Sequence, residues 1–304
     1  MRTAYLGTSE FAATVLERLA RSRHRPTVVF SRPDRQRGRG RRLQSPPVVE
    51  AARGLGIEVS QPEDVNDPES RERVAAAAPD VVVICAYGAL IREPLLSAHA
   101  MINVHPSLLP RWRGAAPVER AIEAGDSETG VSIMRPVAEL DAGPVFAQRS
   151  EPIRSDDDYG SLSARLAEIS GELLEEVLSA VHEPTPQAVD GATYAAKIER
   201  EDRRLDTDRA AEELARLVRA LNPHVGVYAE LEDGERLGVR RATLYSGTDF
   251  PAPGDLDVRE GKLLLGARAG ALELIEVQPA GGRPMDAGSY LRGRGPAVKD
   301  AGRG

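Results

Sequence analysis

The chain has 304 residues, 41% of them hydrophobic, which is enough for two domains with separate cores. One cysteine, Cys85, excludes a disulfide framework and a cysteine-based metal site. A net charge of −7 excludes nucleic-acid binding over the whole surface. No run reaches membrane length, and MRTAYLGTSEF lacks a signal pattern, so a cytoplasmic protein without membrane contact is expected.

In chain order, Arg2 to Leu6 is a predicted strand, and Thr8 or Ser9 can cap a helix that starts near Glu10. The turn GTSEF lacks full GxGxxG spacing, which argues against a dinucleotide site. Thr27 to Ser31 is a second strand. The loop from Arg32 to Pro47 contains Gly38 and Gly40, and its Arg32–Arg42 part holds six arginines and one aspartate. That part carries +5 on an otherwise acidic chain. Composition alone reads it equally as solvated surface or as a landing place for a polyanion.

A helix is predicted over Val48 to Gly54, a strand over Ile57 to Ser60 and another helix within Pro62 to Pro79. Asp80 to Ala86 is apolar almost throughout, as in a strand covered on both faces, and Cys85 reads as core. Repeated βα units of this kind predict an α/β fold with a Rossmann-like, doubly wound, mostly parallel sheet. Tyr87 to Ile91 then falls at the carboxyl edge of that sheet.

Gly130 to Val137 and Val145 to Pro152 are predicted strands, with Asp141 in the turn AELDAGPV. Ser155 to Asp158 caps a helix over Tyr159 to Val181, with Leu162, Leu166, Ile169, Leu173 and Val177 on one face. His182 to Leu205 is rich in Pro, Gly and charge and reads as a linker. A helix over Ala210 to Leu221 and four short strands beyond it suggest a small barrel. The expected organisation is a catalytic domain over 1–182, a linker over 183–206 and a C-terminal domain over 207–304. His24, His99, His182 and His224 show no paired ligand spacing, and no metal is expected.

The most informative stretch is MINVHPSLLPRWRGAAP, Met101 to Pro117. Its start reads as a strand, on which Asn103 and His105 share a face. Pro106 ends the strand, and Pro117 suits the first turn of a following helix. An amide and an imidazole thus lie together at a strand end, where open parallel sheets bind ligands. The pair suits attack of an amine on an acyl carbon. Asn offers a neutral donor and protonated His a charged one to the developing oxyanion. Asp141 is the candidate to orient and charge His105 and to help take a proton from the amine. Either residue alone could be merely a satisfied polar group at a strand end; the HPSLLP block and the LDAG turn together favour catalysis. Trp112, the sole tryptophan, is given no catalytic role.

NVHPSLLPRWRGAAPVERAI followed by TGVSIMRPVAELDAGPVF resembles the active site of the folate-dependent formyltransferases. The likeness continues through LGTSEFA, SRPDRQRGRGRRLQSPPV, CAYGALI, YAAKIEREDRRLD and VQPAGGRPM, nearly end to end. The SLLP–RGAAP block is specific to the superfamily; the arginine loop and QPAG–RPM are specific to its tRNA-acting members. The resemblance implies transfer of the formyl group of 10-formyltetrahydrofolate to the α-amino group of methionyl initiator tRNA, for translation initiation. It implies that Asn103, His105 and Asp141 are catalytic. It places the pterin on Tyr87, Gly88, Ala89, Leu90 and Ile91 and on Ser107, Leu108, Leu109 and Pro110. It assigns tRNA contacts to Arg35, Arg37, Arg39, Arg41 and Arg42, with Arg39 matching the family's arginine near the acceptor end. It also implies a C-terminal OB-like β-barrel that binds tRNA; a monomer is expected.

The chain departs from the family at LNPHVGV and RRLDT, which lack aromatic residues common there. Aromatic contacts with tRNA are therefore not assigned at those positions. His105 precedes Pro106, where many relatives have Gly. Two other readings stay open on sequence. One is the same site with a small acceptor or water: a purine precursor, an amino-sugar nucleotide, or hydrolysis of formylfolate. The other is a non-catalytic RNA-binding protein built on the barrel. The arginine loop and barrel argue against the first, and the intact Asn103, His105 and Asp141 against the second.

Overall fold

The computed structural model describes residues 1–37, 42–180, 183–231 and 234–293. Its contacts divide the chain into two units. One comprises Met1–Pro117, Glu128–Pro152 and Ser163–Ala195; the other comprises Val118–Ser127, Ile153–Leu162 and Ala196–Gly304.

The first unit is built on a seven-stranded sheet. Its order is Val145–Pro152, Glu128–Met134, Met101–His105, Val81–Cys85, Thr3–Gly7, Pro26–Phe30 and Glu58–Ser60. The last five run parallel, whereas Glu128–Met134 lies antiparallel to both of its neighbours. Thr3–Gly7 and Val81–Cys85 are buried at every position, as two-sided coverage by helices requires. Val145–Pro152 is one of the two edge strands, with residues only half-buried or exposed. Ser9 Oγ caps the Glu10–Arg21 helix by accepting from Ala12 N at 3.2 Å.

The chain leaves Thr3–Gly7 toward one edge and returns on its other side at Val81–Cys85. That switch point opens a crevice at the carboxyl ends of the strands. Beneath it, Tyr87 turns its ring into the core with Leu6, Phe30, Val65 and Leu95.

The arginine-rich loop contains a short antiparallel hairpin, Arg35–Arg37 with Arg42–Gln44, where the sequence suggested an unstructured loop. Asp34 anchors its stem, accepting from Ser45 Oγ at 3.1 Å and from Gln61 Nε2 at 2.7 Å. Arg39 and Arg41 lie outside the described residues, as do Gly38, Gly40 and His182.

Residues 183–206 read as a linker from composition, and the first part of that stretch makes specific contacts. Residues 183–195 belong to the first unit: Thr185 exchanges two 2.8 Å backbone hydrogen bonds with Val145, and Tyr194–Ala195 pairs in parallel with Arg113–Gly114. These contacts join positions far apart in sequence and leave no periodic signal, so composition alone suggested a spacer.

The second unit carries an antiparallel sheet in the order Val227–Glu230, Arg236–Leu244, Ala271–Gln278, Lys262–Gly266 and Leu256–Arg259, with Met285–Asp286 added to Ala271–Gln278. Leu256–Arg259 was not anticipated from sequence. The helix Ala211–Leu221 buries Leu214, Leu217, Val218 and Leu221 on one face.

Candidate active site

Asn103 and His105 stand at the carboxyl end of Met101–His105 and both line one cavity of about 560 Å³, a size that suits a small organic ligand. The strand pairing places Asn103 opposite Met134 and His105 opposite Ser132. Asp141 approaches from the turn between Glu128–Met134 and Val145–Pro152 and lines the same cavity. The three predicted catalytic groups therefore meet, although 36 positions separate His105 from Asp141 in sequence.

His105 is 5% exposed. Its Nε2 lies 2.9 Å from the carbonyl oxygen of Trp112. A carbonyl only accepts, so Nε2 carries a hydrogen and the ring orientation is fixed. Nδ1 then faces Asp141 Oδ2 at 3.7 Å, an ion-pair distance and too long for a hydrogen bond. Asn103 Nδ2 has two long contacts, 3.5 Å to Asp141 Oδ1 and 3.6 Å to Met134 Sδ. Its N–H groups are thus only lightly engaged and can donate to a ligand.

Asp141 itself is held mainly by backbone. Gly114 N donates to its Oδ2 at 2.9 Å. Its own backbone is left-handed, with φ +47°, a conformation that Asp tolerates better than most residues. Two glycines make this approach possible. Gly114 has φ +120°, and a Cβ there would lie 2.6 Å from Ala195 O; a Cβ on Gly143 would lie 1.9 Å from Arg135 O. The roles of Trp112 O, Gly114 N and residues 187–195 in holding these groups were not read from sequence. Only the glycine in RGAAP hinted at one of them.

The cavity wall includes Tyr87, Gly88, Ala89, Leu90 and Ile91. Ala86 and Gly88 have φ +43° and +81°, which turns this segment across the strand ends. Leu90, Val137 and Leu140 are large apolar side chains left exposed, and all three line the cavity. Such an apolar rim suits the faces of a flat heterocycle.

Ser107, Leu108, Leu109 and Pro110 are absent from the lining; Pro106 represents that turn. The turn packs instead against Ser132. Leu109 N donates to Ser132 Oγ at 3.0 Å, Ser132 Oγ donates to Ser107 O at 2.6 Å, and Gln148 Nε2 reaches Leu109 O at 2.8 Å. The loop 136–141, which does line the cavity, was anticipated only through Asp141.

Arg35 and Arg42 are exposed on the hairpin. Among the described residues, no group of three or more His, Cys, Asp or Glu side chains is arranged to hold a metal ion. No helix among them is long and apolar enough to cross a membrane.

A doubly wound sheet with an Asn, a His and an Asp around a crevice at its switch point is an arrangement that can donate hydrogen bonds to a developing oxyanion. Residues 1–178 match the family model described as formyl transferase, and residues 197–295 match that of the formyl transferase C-terminal domain. The chain belongs to the formyl transferase family. It is 43% identical to the methionyl-tRNA formyltransferase of Halorhodospira halophila, over 96% of each chain. It is 42% identical to that of Methylococcus capsulatus, over 99% of this chain and 100% of the relative.

Two solved structures share the fold. HypX from Aquifex aeolicus in complex with tetrahydrofolic acid is 20% identical with a TM-score of 0.64, over 96% of this chain and 47% of the HypX chain. The present chain thus spans about half of HypX. The sugar 3N-formyl transferase WlaRD is 14% identical with a TM-score of 0.63, over 90% of this chain and 96% of that one.

Proposed function

We propose that this chain transfers the formyl group of 10-formyltetrahydrofolate to the α-amino group of methionyl initiator tRNA. The observation that carries the reading is the meeting of Asn103, His105 and Asp141 on one cavity, in a chain that aligns nearly end to end with methionyl-tRNA formyltransferases.

The formyl carbon sits beside Asn103 and His105. As the amine attacks, the formyl oxygen gains charge, and Asn103 Nδ2–H with the protonated His105 Nδ1–H stabilises it. Nε2–H stays on the Trp112 carbonyl, so the ring does not turn away. Asp141 faces Nδ1 at 3.7 Å and helps take the proton that the attacking nitrogen releases. The new C–N bond forms as the bond from the formyl carbon to the folate N10 breaks. N10 receives a proton, so the transfer is proton-neutral overall.

The segment Tyr87 to Ile91 holds the pterin, with Leu90, Val137 and Leu140 against its faces. Ser107 to Pro110 act from behind, by fixing the turn that follows His105. The arginines at 35, 37, 39, 41 and 42 receive the acceptor end of the tRNA, and the C-terminal unit binds the tRNA further along. One copy of the chain supplies every residue named here, and the enzyme acts as a monomer in the cytoplasm.

The test is formyl transfer measured with methionyl-tRNA, uncharged tRNA and small amines such as glycinamide ribonucleotide and an amino-sugar nucleotide. Transfer to the charged tRNA alone is expected. Equal or faster transfer to a small amine would overturn the assigned acceptor.

A further inference from the structure

Gln187 lies between the two segments that the family models match, residues 1–178 and 197–295. Its side chain is nonetheless fully engaged beside the active site. Nε2 donates to Asp141 O at 2.7 Å and to Gly143 O at 2.7 Å. Oε1 accepts from Arg113 Nε at 3.1 Å and Nη2 at 2.9 Å. Arg113 is 8% exposed, and its Nη1 lies 3.5 Å from Glu139 Oε1, two residues before Asp141. One amide thus ties the backbone on both sides of Ala142 to a buried guanidinium.

The same segment grips the site through three further residues. Thr185 pairs with Val145 just after the turn. Thr193 Oγ1 accepts from Trp112 N at 2.8 Å, and Ala195 O accepts from Ala115 N at 2.9 Å. Those contacts fix the turn whose Trp112 carbonyl holds His105 and whose Gly114 N–H holds the Asp141 carboxylate.

From this geometry we infer that Gln187 is a positioning residue for formyl transfer: with Arg113 as anchor, it fixes the 141–143 backbone and so aims the Asp141 carboxylate at Asn103 and His105. This rests on the catalytic reading given above. Asp141 has a left-handed backbone, which persists only where its surroundings hold it. Gln187 engages the carbonyl of Asp141 itself and that of Gly143, so it holds the backbone on the exit side of that conformation. Gln suits the position because it donates twice from one end and accepts twice at the other. A carboxylate there keeps the bond to Arg113 but faces two carbonyl oxygens without a donor.

The test compares Gln187→Ala, Gln187→Glu and Asp141→Asn with the parent, with kcat, KM for 10-formyltetrahydrofolate and melting temperature measured for each. Both Gln187 variants are expected to lower kcat by about tenfold to a hundredfold, the scale of a small misplacement at a reacting centre. KM for the folate stays within about twofold, because residues 87–91 are untouched. Gln187→Glu is expected to match Gln187→Ala in kcat despite retaining the Arg113 contact. Recovery of parental kcat in Gln187→Glu would leave only an anchor for Arg113 and overturn the inference. Parental kcat in both Gln187 variants, with Asp141→Asn inactive, would overturn it while leaving the catalytic reading intact. Parental kcat in Asp141→Asn would overturn that reading itself.

Discussion

At Gly114, one residue serves two partners. Its N–H holds Asp141 Oδ2, and its missing side chain lets Ala195 O approach. Gly114→Ala places a Cβ against that carbonyl and strains a backbone at φ +120°. We predict a loss of stability of about 2 kcal/mol, somewhat above the usual Gly-to-Ala effect at positive φ because of the clash. Turnover should fall as well, because the donor to Asp141 shifts with the turn. Urea unfolding and a steady-state formyl-transfer assay on the same preparation measure both. At this scale the sequence was partly legible. The i, i+2 spacing put Asn103 and His105 on one face, and the motif supplied Asp141. The Trp112 carbonyl, the Gly114 N–H and Gln187 were not legible, because main-chain atoms leave no residue-type signal and an amide paired across 46 positions looks like any polar loop residue.

Among the elements, Thr3–Gly7 and Val81–Cys85 were legible because full burial demands continuous apolar runs such as VVVIC. The 107–110 turn, expected against the pterin, contributes no cavity lining, whereas its neighbour Pro106 does. Its prolines and leucines marked it as special without showing which way it packs. The structure ties it to Ser132, fully buried in Glu128–Met134 opposite His105. Ser132→Ala leaves Ser107 O without its donor and Leu109 N without its acceptor. We predict destabilisation of about 2–3 kcal/mol, the usual result of stranding buried polar groups, read as a lower urea midpoint at unchanged m-value.

The single thiol offers an independent probe of the same sheet. Burial pushes Cys85 up to about 12, and only a thiolate reacts. Folded protein at pH 8 should therefore resist a thiol reagent, with one thiol titrating in denaturant. Rapid labelling of the native protein would contradict the packing at the end of Val81–Cys85.

Taken as a whole molecule, the chain is acidic and yet is assigned a polyanionic substrate. In the proposed function the local +5 between Arg32 and Arg42 supplies the attraction, because charges beyond a Debye length of ~8 Å are screened at physiological salt. The described stem of the hairpin is anchored through Asp34, Ser45 and Gln61. Replacing Arg39 and Arg41 with alanine should raise KM for methionyl-tRNA and flatten its salt dependence, since fewer counterions are released on binding. KM for 10-formyltetrahydrofolate should stay parental. An unchanged KM for the tRNA at low salt would contradict a role for the loop.

In the proposed mechanism Asn103 and His105 stabilise charge on the formyl oxygen. The most direct measurement is the single-turnover rate of formyl transfer to methionyl-tRNA, with folate and enzyme saturating, for Asn103→Ala beside the parent. Asn103 makes only long contacts within the protein, so its removal costs little folding energy and reports on the reaction. We predict a fall of about two to three orders of magnitude, with folate affinity changed far less, because the ground-state carbonyl needs the donor less than the oxyanion does. A rate within a few-fold of the parent, at unchanged folate affinity, would contradict the claim.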